Sequence, residues 1–265
     1  MVPLILTLGS LLFVALWEFC RPRRRREFPA LRRRLGNIGF WILNLFIAVF
    51  FSPPDPVVRS AVEAVLGVGL FSWPIADAVL SFVPGFLLLD LMYYAVHRAE
   101  HAVPLFWRFH ALHHTDPDVD VTTSVRHHPA EYLLTSAFYW LALLVLDVPI
   151  GIVLSHGLAV FATAAIQHGN IRLPESLERW LQPVLVTVDM HRIHHSIEFS
   201  RENWNYGAVL SIWDRLFGTL TRMSREEHEK IVFGVRELPR RDCLKPSAML
   251  LTPWRLGRKE VQEVA

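Results

Sequence analysis

The stretch ADAVLSFVPGFLLLDLMYYAVHRAEH (residues 76–101) joins a long apolar run to the first histidines of the chain. Its apolar part, residues 76–96, carries only two charged side chains, Asp77 and Asp90. About 20 predominantly apolar residues are needed for a helix to cross a bilayer. The stretch therefore predicts a membrane-spanning helix that leads directly into His97 and His101 at a membrane surface.

The rest of the chain repeats this alternation of apolar and polar segments. Hydrophobic residues make up 52% of the 265 residues and charged residues 20%, against about 45–50% and about 25% in soluble proteins. Further apolar blocks lie at residues 3–20, 38–51, 132–146 and 150–166, with a weaker block at 57–73. We predict an all-α integral membrane protein with about four transmembrane helices, two of them in a helical hairpin that turns at residues 147–149.

A run of arginines follows the first apolar block. Eight arginines fall within residues 21–34: Arg21, Arg23, Arg24, Arg25, Arg26, Arg32, Arg33 and Arg34. Alone, such a run suggests a nucleic-acid patch, but beside an apolar block the positive-inside rule explains it better and puts the loop in the cytoplasm. No nucleic-acid partner is therefore expected. The charges follow the apolar run and no cleavage site is visible, so block 3–20 is interpreted as an uncleaved helix.

Histidine is the second excess in the composition. The chain has 13 histidines, and all but His228 lie between His97 and His195. Their spacing is H-x-x-x-H at 97–101 and H-x-x-H-H at 110–114 and 191–195. Residues i, i+3 and i+4 share a helix face, so each cluster projects its rings together. Counting crossings from a cytoplasmic arginine loop puts all clusters on the cytoplasmic side, in a helical cap.

Convergent imidazoles indicate a metal site. Protonated rings would repel one another and neutral rings would leave buried nitrogens unsatisfied, whereas a bound metal ion resolves both problems. Nine histidines exceed what one ion can use, and two ions with four or five each would use them. Imidazole suits iron, copper, nickel and zinc. Because the chain has only two cysteines, neither a disulfide framework nor a cysteine-ligated metal site is expected.

Two other classes of protein compete with an enzyme that has a dimetal site. A histidine-rich membrane metal transporter or binding protein usually carries its ionisable groups near the middle of the spans, where this chain has mainly His156. A zinc hydrolase needs a three-ligand site with a glutamate base. The H-E-x-x-H motif is absent because arginine follows both His97 and His191. The pattern favours an enzyme with a dimetal site in the cap.

Several motifs around the histidines are more specific than their spacing. They are Asp90 and Tyr94 before His97-Arg98, Trp107 and Phe109 before His110, Thr115 after His114, the segment from Arg126 through His128-Pro129 to Glu131, His168-Gly169-Asn170, Asn205-Tyr206-Gly207 and Trp213-Asp214-Arg215-Leu216-Phe217-Gly218-Thr219. With these motifs, residues 85–220 resemble the fatty acid hydroxylase superfamily. This integral-membrane di-iron group includes sterol desaturases, sphingolipid and fatty-acid hydroxylases and alkylglycerol monooxygenase.

The resemblance implies two iron ions held by histidine side chains. The nine main positions in this chain are His97, His101, His110, His113, His114, His168, His191, His194 and His195. His128, at the family's His-Pro position, is a tenth candidate, as ligand or as a supporting residue. The three remaining histidines, His127, His156 and His228, are interpreted as bystanders.

The motifs also suggest residues that support the ligands. Five polar residues are expected to act in this way or in the fold: Arg126, Glu131, Asn170, Asn205 and Asp214. A metal-bound histidine usually donates its second N–H to a carboxylate or carbonyl. Asp90 and Asp189 are expected to accept such hydrogen bonds, although Asp90 could equally be a satisfied residue at a helix end.

The resemblance further implies the activity and its partners. We expect O2-dependent oxidation of a C–H bond in a membrane lipid, such as a sterol or fatty acyl chain, giving an alcohol or an alkene. No G-x-G-x-x-G motif or fused cytochrome-like segment is present. Electrons are therefore expected from a separate cytochrome b5-like protein, ferredoxin or reductase that docks on the arginine loop or the charged C-terminal segment.

These expectations divide the chain into three parts. Residues 1–96 form N-terminal membrane helices with the arginine loop, residues 85–220 the catalytic domain, and residues 221–265 a charged cytosolic tail. The protein is expected to be multi-pass, with its active site on the cytoplasmic side of a bacterial inner membrane.

Overall fold

The computed structural model describes residues 2–50, 78–198 and 204–256. Its helices are α1 (Val2–Cys20), α2 (Ala30–Phe50), α3 (Ala78–Ala102), α4 (Pro104–His114), α5 (Pro129–Leu144), α6 (Ile150–His168), α7 (Glu175–Leu181), α8 (Val188–His194), α9 (Ile212–Leu216), α10 (Arg225–Lys230) and α11 (Pro246–Leu250), with short 3-10 helices at Val121–Val125 and Asp242–Leu244. These residues contain isolated β-bridges but no strand. The predicted all-helical fold is confirmed.

Within the described residues, three helices are long and apolar enough to cross a membrane: Ala30–Phe50, Leu80–Ala102 and Ile150–His168. α1 is also apolar over a shorter length, and α5 has 16 residues. α5 and α6 follow one another as the hairpin prediction requires, and Asp147 between them has a φ of 51°. The chain is a membrane protein, and the number of its crossings stays a prediction. The weaker block at 57–73 and the start of block 76–96 lie outside the described residues.

α2 begins at Ala30, earlier than the apolar pattern near Ile38 predicts. The extra turns contain Arg33, whose side chain is fully buried. Its guanidinium donates to Asp116 at 2.9 Å and also to Asp120. Because two carboxylates neutralise this charge inside the protein, the helix extends through a segment that hydropathy alone assigns to a solvated loop.

Most arginines of the 21–34 run bind acceptors inside the protein. Arg23 pairs with Asp189, and Arg24 donates to the carbonyl of Ile231 at 2.7 Å. Arg26 and Arg34 pair with Glu18 and Asp120, as Arg33 does with its two aspartates. Only Arg21, Arg25 and Arg32 of this run are exposed. The run therefore ties the α1–α2 connection to the cap, and little of it remains for a docking partner.

Arg126 extends these contacts beneath α4. Its side chain is fully buried, and all five N–H groups have acceptors. These are the carbonyls of Leu112 and Cys243, Asn37 Oδ1, Thr115 Oγ1 and the sulfur of Met249. We call Arg33, Arg34, Arg126 and their hydrogen-bond partners the arginine network. It joins α2 to α4 and so sets the position of the histidines on α4.

The segment after residue 220 packs on the cap. Val235, Leu238, Cys243 and Leu256 form a buried cluster with Trp107 and Ala111 of α4. Residues 221–256 thus help to hold α4 in place, and they do so with apolar side chains spaced between charged ones. The domain boundaries placed from the sequence stay predictions.

Candidate metal centre

Nine buried histidines form two adjacent groups. The first group is His97, His101, His110, His114 and His194, and the second is His113, His168, His191 and His195. Within each group the ring nitrogens that could bind a metal lie within 4.8 Å of one another. No ring is more than 7% exposed. The structure brings together nine of the ten predicted ligands, five in one group and four in the other.

Each H-x-x-H-H motif supplies both groups. On α4, His110 and His114 join the first group and His113 the second. In the motif at α8, His191 and His195 join the second group and His194 joins the first. Positions i and i+4 share a face, and position i+3 is rotated by about 100° from i+4. Two short helices can therefore serve two neighbouring metal ions.

The second group has spacing that suits a single ion. The Nε2 atom of His168 lies 3.0 Å from that of His113, 3.1 Å from that of His195 and 2.9 Å from that of His191. Two imidazole nitrogens about 2.1 Å from one ion and at right angles to each other are about 3 Å apart. The four nitrogens thus fit around a transition-metal ion.

Backbone carbonyls fix the orientation of three rings. The Nδ1 atoms of His97, His168 and His194 donate to the carbonyls of Tyr206, Ala164 and Trp204 at 2.8, 2.7 and 3.0 Å. A carbonyl can only accept, so in each neutral ring the proton is on Nδ1 and Nε2 carries a lone pair. The buried Nε2 of His194 has no hydrogen-bond partner among the described residues. The Nε2 atoms of His97, His168 and His194 therefore carry the lone pairs with which a metal ion is bound.

Burial keeps five rings of the two groups uncharged. Desolvation lowers the pKa of His194 to about 3. It lowers the pKa of His113, His114, His191 and His195 well below the usual value, and neighbouring histidines lower it further. These five rings are therefore neutral at pH 7, which is the protonation state that binds metal.

Carboxylates lie beside the first group. Glu131 Oε1 accepts from Nδ1 of His110 at 2.8 Å and of His127 at 2.7 Å. Although burial opposes ionisation, these two histidines hold the pKa of Glu131 at about 2. Glu100 Oε2 lies 3.5 Å from His110 Nδ1, and the His127 ring stacks on His113 with centroids 4.6 Å apart. Glu131 therefore occupies a supporting position.

The sequence patterns do not predict Glu100 as a neighbour of the centre, and His127, which is interpreted from them as a bystander, also lies beside it. Glu100 stands inside the H-x-x-x-H motif of α3, and His127 is four residues before Glu131. Both spacings were visible in the sequence. The proximity of these residues to His110 and His113, however, depends on how α3, α4 and α5 pack together.

The role expected for Asp189 is wrong, whereas Asp90 takes the alternative role of a satisfied residue, although inside α3 and not at a helix end. Asp90 accepts from Nε2 of His156 at 3.2 Å and from Nε1 of Trp213 at 2.9 Å. Asp189 pairs with Arg23. Backbone carbonyls accept from three of the nine rings and Glu131 from His110, and the sequence could not show which carbonyls come close.

His128 lies outside both groups. It caps α5, where its Nδ1 accepts from the N–H of Ala130 at 3.1 Å and its Nε2 lies 3.3 Å from the carbonyl oxygen of Leu250. His156 and His228 also stand apart from the groups. His156 contacts Asp90 and Tyr139, and His228 is buried near Asp189.

The motif Asn205-Tyr206-Gly207 forms the turn that supports His97. Asn205 has a φ of 55°, and Asp214 accepts from the N–H groups of Tyr206 and Gly207 at 2.7 and 2.9 Å. A Cβ on Gly207 would lie 2.7–2.8 Å from three surrounding heavy atoms, so no larger residue fits. The turn holds the Tyr206 carbonyl where it accepts from His97. Asn170 has a structural role, since its side chain bonds the backbone of Arg24 and its backbone N–H donates to the carboxylate of Glu18.

A cavity of about 510 Å³ connects the histidines with the spans. Its wall includes histidines of both groups: His97, His110, His113, His168 and His191. It continues along apolar residues of α2 and α6, among them Trp41, Leu45, Val160 and Phe161. Sites for small ligands typically have volumes of about 300–1,000 Å³. A long apolar molecule could therefore reach the histidines from the level of the membrane.

Comparison with known proteins identifies the relatives of this chain. The family described as fatty acid hydroxylase matches residues 82–219. An ornithine lipid hydroxylase of Rhizobium tropici is 32% identical over 190 residues, which cover 71% of this chain and 54% of that protein. Human alkylglycerol monooxygenase is 30% identical over 76% of this chain and 42% of that protein, and human lathosterol oxidase 25% identical over 83% and 69%.

The chain spans about half the length of the first two of these relatives. No solved structure matches it. The family match covers more than half of the chain and contains all nine histidines of the two groups. The protein therefore belongs to the fatty acid hydroxylase family.

Proposed function

We propose that the protein is a membrane-bound oxygenase that uses O2 to hydroxylate or desaturate a C–H bond of a lipid, with two iron ions held by the nine histidines. The observation that carries this proposal is the shared cavity. Histidines of both groups line part of it, and residues of membrane-spanning helices, many of them apolar, line another part. A lipid chain and a metal centre would meet there.

The donor set fits iron. It offers neutral imidazole nitrogens, which suit iron, in two groups of five and four. His97, His101, His110, His114 and His194 would hold one ion, and His113, His168, His191 and His195 the other. When bound, the two irons would supply the O2 activation that oxidation of an unactivated C–H bond requires. The family assignment favours iron over the other metals that imidazole binds.

The protein's own residues would orient the ligands and the substrate. The carbonyls of Ala164, Trp204 and Tyr206 hold three rings with Nε2 inward. Glu131 does the same for His110. The apolar wall around Trp41 and Phe161 would position the lipid chain and exclude water, so that only a carbon near the histidines reacts.

The remaining parts of the proposal concern the partner and the location. Electrons would come from a separate donor protein of the cytochrome b5, ferredoxin or reductase type. We place the cap on the cytoplasmic side of a bacterial inner membrane, as the arginine run predicts. The names of the relatives, which are hydroxylases, monooxygenases and an oxidase of lipids, favour this function over metal transport.

The test is untargeted lipid profiling of cells with and without the protein. Expression should produce lipids that have gained the mass of one oxygen atom or lost that of two hydrogen atoms. A His113→Ala variant should remain in the membrane and produce neither product. Unchanged lipid profiles on expression of iron-loaded wild-type protein with a competent electron donor would contradict the function, and an active His113→Ala enzyme would contradict the ligand assignment.

A further inference from the structure

An amide side chain lies buried in one of the spans. Asn44 belongs to α2, within the span Ala30–Phe50, and its side chain lines the 510 Å³ cavity. The residue is only 4% exposed. A polar side chain inside a membrane span is energetically unfavourable, and residues of this kind usually have a function. The role of Asn44 therefore needs an explanation from its contacts.

One end of this amide is fixed and the other has no partner. Nδ2 donates to the carbonyl of His127 at 2.9 Å. Because a carbonyl cannot donate, the nitrogen must face His127, and Oδ1 must be the other atom. Oδ1 has no hydrogen-bond partner among the described residues. An acceptor left unpaired in a buried site is unfavourable unless a ligand satisfies it.

The position of Asn44 is close to the metal ligands. The His127 residue to which it donates stacks its ring on His113 of the second histidine group. A lipid group bound at Asn44 would therefore lie near the end of the cavity at which the histidines are exposed to it. This position suits recognition of a polar group close to the reacting carbon.

Four hydroxyls of the wall have already used their hydrogens. The hydroxyls of Ser124 and Ser136 donate to backbone carbonyls at 2.6 and 2.8 Å, and that of Thr135 lies 3.4 Å from Glu100 Oε1. Tyr139 contacts Nδ1 of His156 at 3.1 Å, and it must donate because Nε2 of that ring donates to Asp90. These four hydroxyls, like Oδ1 of Asn44, can only accept a hydrogen bond from a ligand. This part of the wall therefore favours a ligand that brings its own donor.

We propose that Asn44 is a specificity-determining residue whose Oδ1 accepts a hydrogen bond from a hydroxyl or amide N–H of the lipid substrate. The site would then take lipids that carry such a donor and discriminate against lipids in which it is absent or capped. This inference rests on the proposed function, since it requires the cavity to be the lipid site.

The test compares two lipids of equal chain length. The probes are 1-O-hexadecylglycerol, which has free hydroxyls, and its di-O-methyl derivative, which has none. Binding to purified protein in detergent is measured by displacement of radiolabelled 1-O-hexadecylglycerol, with and without iron, so that the result does not depend on turnover. The wild type should bind the diol about tenfold more tightly, the equivalent of ~1.4 kcal/mol for one hydrogen bond.

Two variants locate the effect. Asn44→Leu has a similar volume but no acceptor, and it should bring the ratio of the two affinities close to one. Leu45→Ala, at the next position in the same wall, should weaken both probes and leave the ratio unchanged. Size-exclusion profiles and iron content show whether each variant is folded.

The outcomes separate the two proposals. Equal binding of both probes by the wild type, or a tenfold ratio that survives in Asn44→Leu, would overturn the role of Asn44 and leave the lipid cavity intact. Failure of the wild type to bind either probe would overturn the lipid cavity, and the role of Asn44 with it.

Discussion

The two histidine groups and the arginine network lie side by side in the cap and treat buried polar groups in opposite ways. In the network, Arg126 has an acceptor for each of its N–H groups, and Arg33 bonds two carboxylates. In the histidine groups, Nε2 of His194 has no partner in the described part of the chain, and the Nε2 atoms of the second group lie about 3 Å from one another. The arginine network supplies its own counter-charges, with Nε of Arg33 its one buried side-chain atom without a partner among the described residues, whereas the convergent nitrogens of the histidine groups suit a bound cation.

This difference separates a structural role from a binding role. Both regions are rich in residues that charge readily, and both were conspicuous in the sequence. Satisfied groups of opposite charge hold helices together, whereas unsatisfied neutral nitrogens cost stability unless something binds them. Removing a residue should therefore affect folding in the arginine network and metal binding in the histidine groups.

The largest effect is expected for His168→Ala. This change removes the Nε2 atom that lies within 3.1 Å of three other histidines. Lipid oxidation should fall by more than about 100-fold, beyond what is usual for loss of a residue that only supports a ligand. The stability of the metal-free protein should change by only about 1 kcal/mol. Product analysis and thermal unfolding measure the two effects.

His228→Asn serves as the control because His228 lies outside both groups. It should keep both iron and activity. Full activity in His168→Ala would remove the second group from the proposed centre.

The next effect is a loss of stability in Arg33→Leu. The change leaves Asp116 and Asp120 buried without their main cation, which typically costs about 3–5 kcal/mol. Thermal unfolding of the detergent-solubilised protein measures it. Arg32→Leu is the matched control, since Arg32 is exposed, and it should change stability by less than about 0.5 kcal/mol. A similar small effect in both variants would show that the arginine network does not hold the cap.

The contact between Arg33 and Asp120 also predicts that the stability of the protein depends on pH. Although burial opposes ionisation of Asp120, Arg33 and Arg34 hold its pKa at about 2. A carboxyl whose pKa is lower in the folded state stabilises the fold above its unfolded pKa, about 3.9, and loses this contribution as the pH falls toward 2. The difference in unfolding free energy between wild type and Arg33→Leu should therefore shrink below pH 4. A constant difference would argue against this pair.

Glu131→Gln should have a smaller effect, which is confined to the affinity for the metal. The variant keeps the shape of the side chain but removes the charge that accepts from His110. Loss of such a partner typically lowers metal affinity about 10–100-fold, which competition with a chelator would measure. Glu226→Gln, an exposed position on α10, should have no effect. Unchanged affinity in Glu131→Gln would show that Glu131 does not orient the ligand.

The smallest effect is expected for His128→Ala. Loss of the helix cap on α5 should cost about 1 kcal/mol of stability, with iron content and activity unchanged. Loss of iron in this variant would instead support His128 as the tenth ligand, as the family motif suggests.

Local spacing explains what could be predicted from the sequence. The H-x-x-H-H spacing predicts that His110, His113 and His114 project together, but their division between two groups is seen only in the structure. Apolar length was enough to predict α1, α3, α5 and α6, and α2 apart from its first turns. The partners of Arg33, Asp90 and Asp189 could not be predicted because they lie far away in the chain. The backbone carbonyls that fix three rings have no sequence signal at all, since every residue carries one. Hydropathy also could not show that the span Ala30–Phe50 contains two buried polar residues with different roles. Arg33 bonds two aspartates of the cap, and Asn44 lines the cavity.

The central claim is that nine histidines hold two irons. The measurement that tests it most directly is the iron content of wild-type protein purified after expression in iron-supplied cells, determined by elemental analysis against protein concentration. We expect about two iron ions per chain. A content near one or zero, or two ions of a different metal under these conditions, would contradict the claim.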